Sequence, residues 1–402
     1  GQMPMPAVLV LSLFAAAVLA APSRLAPRRS NVARTLATRP PRHLAGGRSG
    51  GCLEDPQRMK SHVSGGHVSR SVYVSRPSAH VSAHVSADLA EKDVKEWTWR
   101  GNKITWKEAG PKNGPCVVLI HGFGVSSSQY RDNLPALAAR GYRTFALDLL
   151  GLGSSEKPMV DYSTELWADQ VADFIEQVVG QPSVIVGNSI GSLIGLAVAQ
   201  PTKLQNYPFP LVNGLVLINC AIGMNSKIKE DDPSLPRWQF FILSSLFVFV
   251  DFVLKSPVAK PLFNSIRGQE NIRNLLTNLY ANPARVDDYL VQEVVTAAND
   301  AGAFEAFVKI LTGDPGTRPE ALMRRITVPT YVLWGDNDPV TPINGPVGKY
   351  FKGLSEDARS GKLTTFETLP GGGHCPHDDD PAIVNGKITS WLDALTTVKR
   401  NA

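Results

Sequence analysis

The chain contains few cysteines and few charged residues, and most of its histidines lie near its beginning. Its four cysteines form no CxxC pair and no metal-ligand spacing, which argues against a zinc-binding module and against a disulfide framework. Charged residues make up 19% of the 402 residues and hydrophobic residues 43%, enough for one large core or a core with a cap. Five of the eight histidines fall within residues 1–90, so only three remain for chemistry elsewhere.

Basic charge is also concentrated at the beginning of the chain. Residues 1–90 contain 11 Lys and Arg against three Asp and Glu, whereas the remaining residues contain 30 basic and 33 acidic side chains. The net charge of +5 therefore belongs to the N-terminal segment. The rest of the chain gives no reason to expect a nucleic-acid partner.

The first 93 residues have the composition of a leader followed by a linker. Residues 7–20 are an unbroken apolar run, which is short for a membrane span of about 20 residues but suits a signal peptide, predicted for residues 1–20. Residues 21–60 are rich in Arg and have no acid before Glu54, as in a transit peptide. Residues 61–93 are predicted to be a low-complexity linker. Metal binding by the linker histidines is the less favoured alternative.

A signal peptide followed by a transit peptide resembles the two-part leaders of proteins sent to plastids of secondary endosymbiotic origin. The resemblance implies a plastid location, with thylakoid association as a further expectation. A secreted protein with a disordered basic stretch is the alternative interpretation.

From residue 94 onward, strand-like and helix-like segments alternate. Residues 96–100 and 103–107 alternate in polarity around Gly101-Asn102, which predicts an antiparallel hairpin. Apolar runs typical of buried parallel strands follow at 116–120, 142–147, 184–186, 214–220, 328–334 and 363–369. This alternation predicts an α/β fold with a mostly parallel sheet covered on both faces.

The alternation stops between residues 222 and 326, which read as helical. We expect this segment to be a cap (a lid) inserted between two core parts, 94–221 and 327–402, and lying over the carboxyl edge of the sheet. Residues 240–254 are its most apolar stretch. Dense packing of cap on core would explain them, and so would a tunnel for a lipophilic chain or docking on a membrane. The cap residues predicted to contact substrate are Trp238, Phe241, Phe247 and Phe249.

Ser189 is the predicted nucleophile. It is central in Gly187-Asn188-Ser189-Ile190-Gly191, between an apolar strand and a helix-like stretch. A strand, a tight turn and a helix lift the serine hydroxyl above the sheet edge in a strained backbone conformation. Residues 47–51 fit the same five-residue pattern, but no strand precedes them and no helix follows, so they are rejected.

A base and an acid follow later strands. His374 follows a predicted strand and is favoured as the base. His377 is the rival, beside a run of aspartates at 378–380 that looks like the N-terminal cap of the last helix, with Pro381 as its first residue. Asp336 and Asp338 both follow a buried strand, so either could orient the histidine, and Asp336 could instead cap the turn.

The loop of residues 121–124 follows another strand and completes the expected site. Its glycines allow close approach of the backbone, so the N–H groups of Phe123 and Ile190 are predicted to form an oxyanion hole. His121 is expected to brace this loop rather than to titrate in catalysis.

Taken in order, His121-Gly122-Phe123-Gly124, the motif at 187–191, the segment 334–342 and Gly373-His374 resemble the α/β-hydrolase superfamily over residues 94–402. The resemblance implies a Ser189–His374–Asp338 triad, since this superfamily places the acid at the position of Asp338. It implies no cofactor and no metal.

Further motifs resemble those of plastid chlorophyll dephytylases and pheophytinases. They are the segments 187–192, 219–221, 345–351 and 373–378. The resemblance implies hydrolysis of the phytyl ester of chlorophyll or a derivative, a lipophilic substrate as partner and peripheral contact with a membrane. The alternatives are a plastid acyl-lipid esterase, a cofactor-free peroxidase and a non-catalytic binding protein.

Overall fold

Eight strands form a single sheet in the order β1-β2-β4-β3-β5-β6-β7-β8. The structure is a computed structural model that describes residues 94–225, 227, 237–356 and 364–400, so the predictions for the leader and linker lie outside the described residues. The strands are β1 (Lys95–Trp99), β2 (Asn102–Ala109), β3 (Cys116–Ile120), β4 (Arg143–Leu147), β5 (Ser183–Asn188), β6 (Val212–Ile218), β7 (Thr330–Gly335) and β8 (Thr364–Leu369).

Strand β2 pairs antiparallel with β1 and β4, and all other pairs are parallel. Every residue of β3, β5 and β7 is buried, because helices cover both faces of the sheet. The predicted α/β fold with a mostly parallel sheet and an N-terminal hairpin is confirmed.

The turn of that hairpin lies one residue earlier than predicted. Trp99 pairs with Asn102, so the turn residues are Arg100 and Gly101 rather than Gly101 and Asn102. Their φ angles are 49° and 81°, the pair of positive values that a type I′ turn requires. The Arg100 guanidinium lies 4.5 Å from the centre of the Trp99 ring and donates to Asp169. These contacts offset the backbone strain of an arginine at positive φ.

Helices connect the strands of the core. They are α1 (Asn133–Ala139), α2 (Thr164–Phe174), α3 (Ile190–Val198), α4 (Pro201–Leu204), α11 (Pro346–Glu356), α12 (Pro376–Asp379) and α13 (Pro381–Arg400). A π-helical turn (Ile175–Val179) extends α2 as far as Gly180, whose φ is 74°. The helix predicted to end at Gly180 therefore does so, with a C-terminal glycine in the left-handed conformation.

The insertion between the neighbouring strands β6 and β7 is helical, as predicted. Its helices are α5 (Arg237–Leu254), α6 (Ala259–Ile266), α7 (Gln269–Thr277), α8 (Asp288–Asn299), α9 (Ala303–Thr312) and α10 (Pro319–Met323). Within the described parts of this insertion there is no strand. No helix among the described residues is long and apolar enough to cross a membrane.

Candidate active site

Ser189 occupies a sharp turn between β5 and α3. Its φ and ψ are 55° and −119°, a strained combination for a residue with a side chain. A Cβ on Gly187 would lie 2.3 Å from the carbonyl group of Gly191, and a Cβ on Gly191 would lie 2.2 Å from the carbonyl oxygen of Ile120. Both positions therefore require glycine, which explains why the two glycines flank the serine.

The loop after β3 approaches the same serine. A Cβ on Gly122 would lie 3.4 Å from the Cβ of Ser189, so Phe123 lies one residue from the point of contact. Ile190 is the first residue of α3, where an N–H has no acceptor within the helix. Among the described residues, no hydrogen bond engages the N–H of Phe123 or of Ile190. Both groups are therefore available as donors next to Ser189.

His374 follows β8 and forms a buried pair with Asp338, which follows β7. Its Nδ1 lies 2.8 Å from Oδ2 of Asp338, and the two residues are 5% and 4% exposed. Because an ionised carboxylate can only accept, Nδ1 carries the proton and Nε2 of a neutral ring is left as the basic nitrogen. This is the orientation that a general base requires.

The surroundings of Asp338 keep it ionised. Burial alone would raise the pKa of this carboxyl, but its electrostatic interaction and hydrogen bond with His374 and the hydrogen bonds from Thr341 and Asn219 lower it to about 2. The backbone N–H groups of Val340 and Thr341 also donate to its Oδ1, at 2.7 and 3.1 Å. Each of these donors favours the charged form.

Asp336 has a different role from Asp338. Its Oδ1 accepts from the N–H of Gly371 at 2.6 Å, so it caps a turn. Of the two aspartates left open by the sequence, only Asp338 contacts His374 among the described residues.

One hydrogen bond links the serine turn to the histidine loop. The side-chain amide of Asn188 donates to the carbonyl oxygen of His374 at 2.9 Å. Asn188 directly precedes Ser189, so the structure brings Ser189, His374 and Asp338 to one edge of the sheet. The Asn188 contact was not predicted from the sequence, where the residue counted only as a spacer in the motif.

His121 braces the loop after β3. Its Nδ1 donates to the carbonyl of Gly122 at 2.7 Å, and its Nε2 accepts from the N–H of Leu149 at 3.1 Å. Burial lowers the pKa of this fully buried ring, so it remains neutral, in line with a structural rather than a catalytic role.

His377 is completely buried beside the ring of Tyr130, with the ring centres 4.7 Å apart. Neither ring nitrogen has a hydrogen-bond partner among the described residues. Burial, the neighbouring His374 and the positive charge of Arg285 lower its pKa to about 3. It makes no contact with Asp338 within the described structure, so His374 and not His377 has the geometry of the base.

The run of aspartates at 378–380 has more than the predicted capping role. Asp380 does cap α13, since its Oδ1 accepts from the N–H of Ile383 at 3.2 Å, and Pro381 begins that helix. Asp378 and Asp379 instead face the cap, and their interpretation as part of the helix cap was wrong. The reason is long-range, because their partners in the cap lie about 95 residues earlier in the chain.

Asp378 is the centre of a buried charge network. Its carboxylate accepts from Arg131 Nε at 3.0 Å, Arg285 Nη2 at 2.6 Å and the Tyr280 hydroxyl at 2.8 Å. Arg131 and Tyr280 come from the core and the cap respectively, so the carboxylate joins the two. The carboxylate itself has no exposed surface.

Asp379 ties the same cap segment to the loop of His374. Its Oδ2 accepts from the N–H groups of Ala281 at 2.9 Å and Gly373 at 3.2 Å, and its Oδ1 accepts from Asn282. The N–H of His374 also donates to the carbonyl of Leu279 at 2.8 Å. The cap segment 279–285 therefore holds the backbone on both sides of the histidine.

Aromatic side chains of the cap pack over the loop of Phe123. The Phe123 and Phe307 rings lie 6.1 Å apart, and Phe263 packs on Phe307 at 5.1 Å and on Phe304 at 5.5 Å. This apolar cluster extends from the expected oxyanion loop into α6 and α9. It was not predicted from the sequence, because no local pattern brings these helices together.

The four predicted cap residues lie in α5. Trp238 and Phe241 are in its first two turns. Phe247 is partly buried and Phe249 is 54% exposed. Among the described interactions, neither Phe247 nor Phe249 contacts the triad, and the role of all four residues in substrate binding stays a prediction.

The similarity to known proteins agrees with this architecture. A family model described as the alpha/beta hydrolase family matches residues 117–386. The chain therefore belongs to the alpha/beta hydrolase family, and it is a hydrolase by that membership. This confirms the fold and the enzyme class that the motifs indicate.

Two of the curated relatives and one of the solved structures that resemble the chain show the range of this similarity. A chloroplastic pheophytinase from Arabidopsis thaliana is 26% identical over 73% of this chain and 64% of its own length. A 2-hydroxy-6-oxo-6-(2'-aminophenyl)hexa-2,4-dienoic acid hydrolase from Metapseudomonas resinovorans is 30% identical over 60% of this chain and 74% of its own. A serine hydrolase involved in carbazole degradation superposes with a TM-score of 0.55 at 26% identity, covering 75% of this chain and 98% of the other.

Proposed function

We propose that this protein is a serine esterase that hydrolyses a lipophilic carboxylic ester. The observation that carries the proposal is the 2.8 Å contact between His374 Nδ1 and Asp338 Oδ2, at the edge of the sheet where Ser189 occupies a strained turn. Nε2 of His374 takes the hydroxyl proton of Ser189 as its oxygen attacks the ester carbonyl. The N–H groups of Phe123 and Ile190 stabilise the negative oxygen, each typically by roughly 3 kcal/mol.

The second half of the reaction returns the enzyme to its starting state. His374 gives its proton to the departing alcohol oxygen as the carbon–oxygen bond breaks, which leaves an acyl group on Ser189. Water then attacks the acyl carbonyl while His374 accepts the water proton. The bond between the acyl carbon and the Ser189 oxygen breaks, His374 returns the proton to that oxygen, and the acid is released. Asp338 stays ionised throughout and stabilises the positive ring.

The substrate proposed is the phytyl ester of chlorophyll or a derivative. Support comes from the similarity to a pheophytinase and from the aromatic cluster beside Phe123, which suits a long apolar chain. Any magnesium would belong to the pigment. A plastid location is proposed on the chloroplastic relative and on the leader composition. A plastid acyl-lipid esterase is the alternative within the same chemistry.

A covalent probe and three substrates test this proposal. A fluorophosphonate should label the protein and fail to label Ser189→Ala, whose kcat should fall roughly 10⁴- to 10⁶-fold. Asn213→Ala, at the opposite end of the sheet, is the matched control and should label normally. Equal labelling of Ser189→Ala would overturn the proposed nucleophile.

Incubation with chlorophyll a, pheophytin a and a galactolipid then separates the substrate classes. Release of phytol from either pigment is the expected result. Release of fatty acid without phytol would assign the acyl-lipid activity instead and leave the serine mechanism in place.

A further inference from the structure

The outer face of α5 carries a patch of exposed apolar side chains. Val248, Phe249 and Phe252 are 69%, 54% and 71% exposed, and Val258, in the loop after the helix, is 60% exposed. Seven large hydrophobic residues are exposed in the described chain, and four of them lie within these eleven positions. Such clustering of apolar surface marks an interaction site, whereas exposed apolar residues scattered singly carry no such meaning.

The exposed positions define one side of the helix. Ser245, Val248, Phe249, Phe252 and Lys255 are all exposed, and their spacing of three and four residues places them on one face. The other side packs inward, with Leu254 only 5% exposed. Asp251 is paired with Lys227 at 2.7 Å, which fixes the helix to the rest of the cap and keeps its one acid away from the exposed face.

The charges that flank the patch along the chain are mostly positive. Between residues 244 and 268 the chain has Lys255, Lys260 and Arg267 as bases and Asp251 as its one acid. Lys255 is exposed on the same face as the apolar side chains, and Lys260 is exposed in the first turn of α6, with its ammonium 5.7 Å from the centre of the Phe304 ring. An apolar helix face with lysines at its border is the arrangement of a helix that lies in the interface of an anionic bilayer.

We propose that the patch of Val248, Phe249, Phe252 and Val258 docks the cap on the surface of a lipid bilayer that carries anionic headgroups. The apolar side chains enter the boundary between headgroups and acyl chains, and Lys255 and Lys260 contact the headgroup charges. Docking brings the cap against the phase in which a lipophilic substrate dissolves. The proposal does not depend on the ester chemistry, because Ser189→Ala should dock as the wild type does.

Vesicle binding by the full chain tests the patch. The double variant Val248→Ser/Phe252→Ser should bind vesicles of phosphatidylcholine with phosphatidylglycerol about tenfold or more weakly, because two apolar side chains no longer leave water. Met159→Ser/Ile383→Ser removes comparably exposed apolar side chains elsewhere and should bind as the wild type does. Turnover of a soluble short-chain ester should be unchanged in both double variants, which shows that they are folded.

A second double variant tests the contribution of Lys255 and Lys260 to vesicle binding. Lys255→Ala/Lys260→Ala should lose roughly fivefold per lysine on vesicles that contain phosphatidylglycerol and nothing on phosphatidylcholine alone. Equal loss on both kinds of vesicle would overturn the charge contribution.

A site-specific fluorophore distinguishes vesicle binding through the patch from vesicle binding through the basic N-terminal segment. An NBD fluorophore on Phe252→Cys should brighten when vesicles are added, whereas the same fluorophore on Ile383→Cys should not, both in a Cys52→Ser background. The proposal is overturned if the two labels respond equally. It is also overturned if Val248→Ser/Phe252→Ser changes the oligomeric state but not vesicle binding, since the patch would then join two copies of the chain.

Discussion

Two parts of the cap meet their surroundings in opposite ways. The segment 279–302 is fastened to the core by buried charges, with Arg285 on Asp378 and with Asp300 on Lys157, whose side chain is only 4% exposed. Helix α5 instead turns Val248 and Phe252 towards solvent. One insertion thus contains both a segment that is bonded to the core, which we call the brace, and an exposed apolar surface on α5. The stability of the fold should depend on the brace, and binding to other molecules should depend on the apolar surface.

Removal of the central carboxylate should have the largest effect on stability. Asp378→Asn keeps the shape of the side chain but removes the buried anion that Arg131 and Arg285 share, so that each arginine keeps only a more exposed carboxylate, Asp287 and Asp132 respectively. We expect the free energy of unfolding to fall by about 3–5 kcal/mol, the usual effect of breaking a buried ion pair from one side. Chemical denaturation followed by circular dichroism measures the change.

The control for this variant is an exposed ion pair. Asp161 pairs with Lys309 at 2.7 Å, and its side chain is 92% exposed. Asp161→Asn should leave the unfolding midpoint unchanged. If Asp378→Asn had the same unfolding midpoint as Asp161→Asn, the hydrogen bonds of Asp378 would contribute nothing to stability, and the comparison between the two regions would fail.

Low pH should lower the free energy of unfolding because His377 is buried in its neutral form. Its pKa is about 3 in the folded chain and about 6.5 in an unfolded one, so between these values only the unfolded state binds the proton. The contribution of neutral His377 to the stability of the folded chain is therefore fully present above pH 6.5, and it is lost as the pH falls towards 3. Between pH 7 and pH 5 the loss from this residue amounts to about 2 kcal/mol.

His377→Phe isolates that contribution. The phenyl ring keeps the contact with Tyr130 but cannot be protonated, so the variant should lose about 2 kcal/mol less than the wild type between pH 7 and pH 5. Denaturant titrations at the two pH values measure the difference. Identical pH dependence in both proteins would show that His377 is not held neutral.

The exposed surface should show the smallest effect on unfolding. Val248→Ser/Phe252→Ser removes side chains that are already more than two-thirds exposed, so the free energy of unfolding should change by less than about 0.5 kcal/mol. The same denaturation experiment measures it. A loss as large as that of Asp378→Asn would mean that the patch is packed in the folded protein, which would remove the contrast between the two regions.

Local patterns were enough to predict most of the sheet and to place Ser189, Asp338 and His374 after strands of that sheet. The glycines around Ser189 and the strands before Asp338 and His374 are properties of short segments, so they can be recognised from the sequence. The hairpin turn was misplaced by one residue because Gly101 fits either position, and the choice depends on contacts of Arg100 with Trp99 and Asp169. These contacts form only after the strand and α2 have come together.

Other parts of the site depend on contacts between distant residues. Asp378 and Asp379 fit the pattern of a helix cap, and nothing near them in the sequence indicates partners at Tyr280, Ala281 and Arg285. A contact between Asn219 and the site could have been predicted, because Asn219 follows β6 at the same edge of the sheet. Its side chain donates to Asp338 and accepts from the N–H of Gly335, a function that the strand pattern does not specify.

The fastening of residues 279–285 limits how the cap can be exchanged. Strands β6 and β7 are neighbours, so the ends of the insertion lie close together and the sheet would accept many different segments there. A transplanted cap would nevertheless remove the donors that the cap supplies to the carboxylates of Asp378 and Asp379, and it would leave the N–H of His374 without its acceptor. Chimeras designed to alter substrate preference should therefore retain this native segment and replace only the helices on either side of it.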